Sequence, residues 1–282
     1  MSQIKRLGII TSGGDCGGLN AVIYGASMMC LANNIELVVI PNGYAGLYNL
    51  DIIEPTLLNL SMTEKIDTAL AGSIAGHSRV KISKINNEQK YEKIKSNLTT
   101  HNIDGLIIAG GDDTGSVVID LISRGIKCIH VPKTMDLDLQ TYSVGGDSTI
   151  SRISAFLNDL HTTGLTHNRI IILEVFGRYA GHTAFRGGIG ADADCILIPE
   201  INVDIGVIYE HFKKTFSRRL NENLYKSATY SIVVAEGIKD MNNKYFTDKT
   251  NDIDSFGHKR LGGAGAFIRS VLSELSKRDL EY

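Results

Sequence analysis

Two acidic side chains and a threonine follow a glycine pair where an apolar segment turns into a helical pattern. The segment GLIIAGGDDTGSVVIDL begins at Gly105 and contains Asp112, Asp113 and Thr114. Helix N-termini attract phosphate, whereas carboxylates repel it unless Mg²⁺ lies between them. Mg²⁺ usually takes one or two carboxylates together with phosphate oxygens. Asp112 is therefore a candidate magnesium ligand in a site for phosphoryl transfer.

Glycines are also concentrated after the first apolar run, in the stretch TSGGDCGGLNA. Glycine lets backbone amides approach a ligand closely, and the helix expected from Leu19 offers a positive dipole end. The stretch is therefore a candidate phosphate cradle. The stretch is neither a Walker A motif nor a GxGxxG fingerprint, so its pattern does not specify a nucleotide. Cys16 is interpreted as a small filler, although a helix N-terminus favours a thiolate.

A third polar turn is PKTMDLDL, which follows another predicted strand. Asp136 and Asp138 are two residues apart in what should be extended chain, so they point to the same side as Thr134. Such a group can accept a proton from a substrate hydroxyl or hold a metal. Phosphoryl transfer also requires cations. The candidates are Arg79, Lys133 and Arg178.

The elements that must position these turns alternate along the chain. Short runs of Val, Ile and Leu are typical of strands buried on both faces, and helical spacing separates them. This alternation predicts an α/β fold with a mainly parallel sheet. The predicted strands are Arg6–Ile10, Glu36–Ile40, Gly105–Ala109, Lys127–Val131, Ile170–Val175, Cys195–Pro199 and Tyr230–Ala235. The predicted helical segments are Asp147–Thr163, Asp204–Leu220, Gly262–Lys277 and part of Lys81–His101, and Asp240–His258 is predicted to be a loop.

Composition narrows the class of partner. The 282 residues are 43% hydrophobic and 21% charged, with a net charge of −2. This balance indicates neither a nucleic-acid surface nor a polybasic membrane patch, and no apolar run is long enough to span a bilayer. Four scattered cysteines indicate neither a disulfide framework nor a zinc site. We expect a cytoplasmic protein that acts on a small molecule.

Six motifs, taken together and in this order, resemble the 6-phosphofructokinases: GGDCGGLNA, GHSR, GGDDT, PKTMDLD, EVFGRYAGH and VVAEG. The resemblance covers essentially the whole chain. It implies two Rossmann-like domains with an active site in the cleft between them, and transfer of a phosphoryl group to the 1-hydroxyl of fructose 6-phosphate in glycolysis. The implied division is a donor-binding domain at 1–140, a sugar-phosphate-binding domain at 141–256 and a shortened C-terminal helical segment at 257–282.

The resemblance also implies roles for individual residues. Asp136 corresponds to the general base, with Thr134 and Asp138 beside it, and Asp112 acts through Mg²⁺. The implied donor contacts are Gly14, Arg79, Asp113, Thr114 and Lys133. The implied sugar contacts are Phe176, Gly177, Arg178 and Glu236. Arg169 matches a residue that reaches the sugar-phosphate site of a neighbouring subunit, so a homodimer or homotetramer is expected.

The resemblance further implies the donor. Family members that use ATP usually have glycine at the position of Asp113, whereas those that use pyrophosphate have aspartate there and lysine at the position of Lys133. A carboxylate adds bulk and repulsion where the α-phosphate of ATP would lie. Pyrophosphate is therefore the expected donor, and ATP is the alternative.

Some positions depart from the family pattern. Gly17 replaces a usual proline, Leu137 replaces a usual asparagine, and a usual GGT is altered at Ala71–Ser73. The sequence stops at Tyr282, before a GHxQRGG stretch that binds the sugar 6-phosphate in the family. We therefore expect weak sugar-phosphate binding, and a non-catalytic shortened paralogue is a third hypothesis. Kinases of NAD or lipids share the glycine-rich turn but do not explain the other motifs.

We predict that Asp136→Asn lowers turnover about 10²–10⁴-fold, the usual contribution of a positioned general base. Sugar binding should change far less, because asparagine has nearly the same size as aspartate. Steady-state kinetics and calorimetric titration of fructose 6-phosphate measure the two effects separately. Near-normal turnover of an otherwise active chain would contradict the assignment.

Overall fold

A computed structural model of the chain describes residues 4–135, 143–246 and 261–280. The chain forms two compact units. The first contains the described residues through Thr134 together with 143–145, and the second contains Met135 and the described residues from Gly146 onward. The boundary expected near residue 140 falls in the segment 136–142, outside the described residues.

The first unit is built on a five-stranded sheet in the order β3-β2-β1-β4-β5. Its strands are β1 (Arg6–Thr11), β2 (Glu36–Val39), β3 (Thr56–Leu58), β4 (Gly105–Gly110) and β5 (Cys128–Pro132). All pairings are parallel except that of β3 with β2. The chain proceeds outward from β1 to β2 and β3 and then returns to β4 on the other side of β1. The carboxyl ends of β1 and β4 therefore adjoin at a switch point, where open α/β sheets bind ligands.

The interior strands β1 and β4 of this sheet are largely buried on both faces, which explains their apolar sequences. On β1, Ile9 packs with Ile23 in one core cluster. Its neighbour Ile10 packs with Ile94 and Val117 in another. Successive side chains of a strand point to opposite faces, so each β1 isoleucine serves a different layer. The helices of this unit are α1 (Leu19–Ala32), α2 (Gly43–Tyr48), α3 (Leu60–Thr63), α4 (Lys90–Thr100) and α5 (Asp112–Ser123), with a 3₁₀ turn at Ile82–Lys84.

The second unit contains a three-stranded parallel sheet in the order β6-β8-β7. Its strands are β6 (Ile170–Val175), β7 (Cys195–Leu197) and β8 (Tyr230–Ala235). Every residue of β8 is buried, as expected for the central strand. The helices are α6 (Gly146–His167), α7 (His182–Gly190), α8 (Ile205–Glu222) and α9 (Ala264–Leu280). The Asp204 side chain accepts hydrogen bonds from the amides of Gly206 and Val207 and caps α8.

Helix α9 belongs to the core of the second unit. Ile268 and Leu272 are buried in the same cluster as the β8 side chains. The Glu174 carboxylate accepts hydrogen bonds from the amides of Gly263 at 2.7 Å and Gly265 at 3.0 Å. Because these amides precede and begin the helix, Glu174 on β6 anchors the start of α9 by satisfying donors that no helical carbonyl can reach.

The predicted α/β class with mainly parallel sheets is confirmed. Each predicted strand is present, with ends that differ by up to two residues. Strand β3 was not predicted, because Leu57 and Leu58 are its only apolar residues and form no run of Val, Ile and Leu. The Lys81–His101 segment is less solvated than expected, since Ile94 and Leu98 on α4 are buried. Within the ranges described, no helix combines the length and apolarity needed to cross a bilayer.

We predict that Ile108→Ala, at a fully buried β4 position, lowers the free energy of unfolding by about 2–5 kcal/mol, as is usual for removing a large aliphatic side chain from a core. Ile119→Ala on α5 is the matched control, because this isoleucine is 71% exposed. Urea unfolding of both variants measures the difference. Equal midpoints for the two variants would contradict the assignment of β4 to the core.

Candidate functional site

The loop after β1 is held against the segment Gly76–Arg79 by hydrogen bonds. The Gly13 amide donates to the Ser78 carbonyl at 3.3 Å, and the Ser12 hydroxyl donates to the same carbonyl at 3.2 Å. The His77 Nδ1 atom lies 3.0 Å from the Gly13 carbonyl oxygen. The glycine loop is therefore tied at successive residues to a segment more than 60 positions away.

Two buried polar side chains fix the chain that leads into Gly76–Arg79. The Thr11 hydroxyl lies 2.7 Å from the Ser73 hydroxyl and donates to the Gly76 carbonyl at 3.1 Å. The Asn20 side-chain oxygen accepts from the Ile74 amide at 2.9 Å. Thr11 and Asn20 are essentially inaccessible to solvent, so these bonds hold the segment without competition from water.

A cavity of about 360 Å³ lies between the glycine loop and this segment, and its lining includes Gly13, Gly14, Asp15, His77 and Arg79. Gly14 faces open space, since a Cβ atom placed there would have no heavy atom within 4 Å. Arg79 is exposed. The structure therefore brings two predicted donor contacts, Gly14 and Arg79, to the same cavity.

The turn from β4 into α5 carries the paired carboxylates. Gly110 is required here, because a Cβ atom would lie 2.4 Å from the Thr114 hydroxyl oxygen. Thr114 is buried, and its carbonyl accepts a hydrogen bond from the Tyr44 hydroxyl at 2.9 Å. Asp112 is exposed and, among the residues that the structure describes, has no hydrogen-bonding or ion-pair partner. Its carboxylate is thus available at a helix start, where negative charge is favourable.

Asp113 differs from its neighbour Asp112 because it lies in an ion pair. Its Oδ1 atom is 2.7 Å from the Lys81 Nζ atom, with the two side chains 34% and 21% exposed. The contact joins the first turn of α5 to the chain that follows Arg79.

Lys133 connects the glycine loop to the β4 turn. It is only 5% exposed, and its ammonium group donates to the Gly14 carbonyl. Its backbone amide donates to the Gly110 carbonyl at 2.9 Å. Thr134 is also buried, and its amide donates to the Val144 carbonyl at 3.2 Å. Asp136 and Asp138 lie outside the described residues.

In the second unit, four predicted sugar contacts come together after β6 and β8. The Glu236 amide donates to the Val175 carbonyl at 3.0 Å, and the Gly237 amide donates to the Gly177 carbonyl at 3.1 Å. Phe176 is 58% exposed, and its carbonyl accepts from the Thr183 hydroxyl at 2.7 Å. These bonds place Phe176, Gly177, Arg178 and Glu236 at the carboxyl end of the sheet.

Glycine is required at Gly177 and Gly237 in this turn. Gly177 has a φ of 151°. A Cβ atom at Gly237 would lie 2.0 Å from the Arg178 carbonyl oxygen. Glu200 supports the same turn by accepting from the Gly181 amide at 2.9 Å. The close approach of the two backbones therefore depends on residues without side chains.

Arg169 lies at the other end of β6. It precedes the strand, its amide donates to the Gly164 carbonyl at 2.9 Å, and its carbonyl accepts from the Thr229 hydroxyl at 2.8 Å. The six residues of β6 separate it from Phe176 by about 20 Å at the usual strand rise. Within one chain, the second unit therefore does not bring Arg169 to the other predicted sugar contacts.

Burial governs the two ionisable side chains beside the glycine loop. It raises the pKa of the Cys16 thiol to about 11, so a thiolate is disfavoured and Cys16 acts as a filler. Burial also lowers the pKa of His77. The His77 Nε2 atom is inaccessible and, among the described residues, has no hydrogen-bonding partner. Because Nδ1 faces a carbonyl, the neutral ring must carry its proton there.

His77, Ser78 and Lys81 are site residues that sequence reasoning missed. His77 and Ser78 belong to GHSR, a motif from which only Arg79 was selected. Lys81 had a detectable signal, because residues two apart in an extended segment point to the same side. Its partner Asp113 is distant in sequence, so the ion pair itself required the fold.

We predict that protonation of His77 destabilises the fold. Its folded-state pKa lies below the ordinary value of 6.5, so the unfolded chain takes up the proton first as the pH falls. Stability should be complete above about pH 6.5 and decrease below it. His77→Gln, whose amide can still donate to the Gly13 carbonyl, should lose stability less steeply between pH 6.5 and 5. Identical slopes of melting temperature against pH in native and variant chains would refute this effect.

Comparison with known proteins supports a common origin. The family model described as phosphofructokinase matches residues 6–277. The chain is 35% identical over 277 residues to a pyrophosphate–fructose 6-phosphate 1-phosphotransferase of Dictyoglomus thermophilum, covering 98% of this chain and 75% of that protein. It is 36% identical to an ATP-dependent 6-phosphofructokinase 2 of Clostridium perfringens, covering 98% and 76%.

Solved structures show the same fold. A pyrophosphate-dependent phosphofructokinase of Marinobacter aquaeolei superposes with a TM-score of 0.73 at 21% identity, over 96% of this chain and 65% of that one. A phosphofructokinase of Saccharomyces cerevisiae also gives 0.73, at 22% identity, over 96% of this chain and 36% of that one. The chain thus spans about three quarters of the curated relatives and a smaller share of these solved chains. With the match to the family model over nearly its whole length, this chain belongs to the phosphofructokinase family.

Proposed function

We propose that the chain transfers a phosphoryl group from pyrophosphate to the 1-hydroxyl of fructose 6-phosphate, giving fructose 1,6-bisphosphate. The observation that carries this proposal is the arrangement of two residues. Asp113 stands in the first turn of α5 with its carboxylate held by Lys81, and the Lys133 ammonium is buried against the Gly14 carbonyl. The family pattern associates this aspartate and lysine with a pyrophosphate donor.

The donor would bind in the cavity between the glycine loop and Gly76–Arg79. Phosphoryl transfer depends mainly on positioning and on neutralising negative charge. Gly14 leaves open space for the phosphate to approach the backbone, and Arg79 lines the same cavity. Lys133 is a compact positive charge that reaches the glycine loop from the β5 side. These groups suit a short, highly charged donor.

ATP is the second candidate donor. The Clostridium relative that is named ATP-dependent is 36% identical to this chain, and the Dictyoglomus relative that is named for pyrophosphate is 35% identical. Overall similarity therefore does not discriminate between donors, and the proposal depends on Asp113 and Lys133.

Magnesium fits the donor side of this site. The described residues contain no cluster of three or more His, Cys, Asp or Glu that could enclose a metal, and Mg²⁺ does not require one, since it takes one or two carboxylates with phosphate oxygens and water. Asp112 would supply the carboxylate, because it is exposed at the start of α5. When bound, Mg²⁺ would neutralise part of the donor's negative charge.

The sugar phosphate would contact Phe176, Gly177, Arg178 and Glu236. Hydrogen bonds between the β6 and β8 turns hold this set together, and Arg178 supplies a cation to it. Asp136 is the proposed general base for the 1-hydroxyl, with Thr134 and Asp138 beside it. Arg169 lies at the opposite end of β6, so its proposed role requires a neighbouring copy in a homodimer or homotetramer.

We predict that the chain forms fructose 1,6-bisphosphate faster from pyrophosphate than from ATP when each is supplied separately with fructose 6-phosphate and Mg²⁺. Asp113→Gly should reduce the preference, because removing the side chain makes room for an α-phosphate. Measurement of kcat/KM for each donor tests both points. A native chain that prefers ATP would overturn the proposed donor, and no turnover with either would overturn the catalytic function.

A further inference from the structure

The ion pair between Lys81 and Asp113 changes how the acidic turn can act on a donor. The two charged atoms are 2.7 Å apart, a distance typical of a charge-assisted hydrogen bond. Both side chains are partly buried, at 21% and 34% exposure. Asp113 therefore does not present an isolated negative charge to an incoming phosphate.

The position of the pair is also specific. Arg79 lines the cavity beside the glycine loop. Lys81, two residues later, lines a second cavity of about 430 Å³, and so does Ser116, one helical turn after Asp113. The ion pair thus joins the chain that follows Arg79 to the first turn of helix α5. The first turn of α5 also adjoins the glycine loop, since a Cβ atom placed at Gly13 would lie 3.5 Å from the Thr114 hydroxyl oxygen.

A carboxylate that acted only through its negative charge would discriminate poorly between pyrophosphate and ATP. Pyrophosphate is itself a multiply charged anion, so a bare carboxylate at the end of its cavity would repel it as well as ATP. A carboxylate paired with an ammonium group keeps its bulk while its field is largely cancelled. Such a pair can block a longer donor and still tolerate a short anion beside it.

We infer that Lys81 is a specificity-determining residue, which positions Asp113 and cancels its charge so that the pair excludes longer donors by bulk while pyrophosphate binds next to it. This inference rests on the proposed function, because it concerns the same donor cavity. The sequence led us to expect that Asp113 excludes the α-phosphate of ATP by both bulk and repulsion. In this inference only the bulk of the side chain excludes it.

Calorimetric binding of pyrophosphate with Mg²⁺ to the full chain tests the charge effect. Lys81→Met removes one positive charge from beside Asp113 and should weaken pyrophosphate binding about tenfold, the size expected for a change of one unit charge near a surface site. Lys81→Arg, which keeps the charge, should bind like the native chain. The double variant Lys81→Met/Asp113→Asn should return to within about twofold of native affinity, because both charges are then gone.

Lys84→Met is the matched control for the charge effect. This lysine is exposed on the 3₁₀ turn, so its replacement should leave pyrophosphate affinity at its native value.

The effect of bulk is tested by measuring the binding of ATP. Asp113→Asn has the same size as the native residue and should discriminate against ATP as strongly as the native chain does. Asp113→Gly should gain ATP binding.

Three results would overturn the inference: native affinity in Lys81→Met, a double variant as weak as Lys81→Met, or Asp113→Asn that accepts ATP as readily as Asp113→Gly. A native chain that does not bind pyrophosphate would also overturn it. Turnover is measured in a separate experiment, so failure of this inference can be distinguished from failure of the proposed function. A chain that shows the predicted binding pattern without forming product would refute the proposed function and leave the inference intact.

Discussion

The hydrogen bonds between the glycine loop and Gly76–Arg79 are the constraint on which the candidate donor site depends. They engage consecutive residues, with Ser12 and Gly13 bonded to Ser78 and His77. A phosphate-binding loop requires backbone amides that point in defined directions. Glycines alone allow many backbone conformations and do not fix these directions. The Gly76–Arg79 segment binds the amide and the carbonyl of Gly13. These bonds also fix the orientation of the neighbouring peptide groups of the glycine loop. Buried Thr11 and Asn20 hold that segment in turn.

Charges around this loop are paired with groups that limit their effect. Lys133 is buried and donates to the Gly14 carbonyl, Asp113 is paired with Lys81, and Asp112 stays exposed. Burying an unpaired charge is costly, so the partners explain how the Lys133 ammonium group can be buried and the Asp113 carboxylate partly buried. The cavity beside Gly14 is lined by the exposed side chains of Asp15 and Arg79.

In both units, the candidate residues are brought together by turns that follow neighbouring parallel strands. In the first unit, the turns after β1 and β4 meet because these strands are neighbours. In the second, the turns after β6 and β8 meet for the same reason, and Gly177 and Gly237 let their backbones touch. Arg169 illustrates the converse, because a residue at the amino end of β6 cannot join groups at the carboxyl end.

The sequence by itself determined the α/β class, the seven strands predicted from it and the turns that carry the candidate residues. These features are local, because burial on both faces of a parallel sheet produces runs of Val, Ile and Leu and glycine pairs mark where such runs end. Asp112 could be selected from its local sequence, whereas Gly14 and the role of Arg79 came from the family resemblance. Strand β3 was not predicted because it lacks such a run.

Only the tertiary structure decided which partner each charged or polar group has. Lys81 is 32 positions from Asp113, Lys133 is 119 from Gly14 and His77 is 64 from Gly13. Sequence periodicity does not indicate a pairing across such distances. The pairing depends on which strands are neighbours and on how deeply each side chain is buried. That is why the family resemblance could propose Asp113 as a donor contact, whereas its ion pair with Lys81 became apparent only in the folded chain.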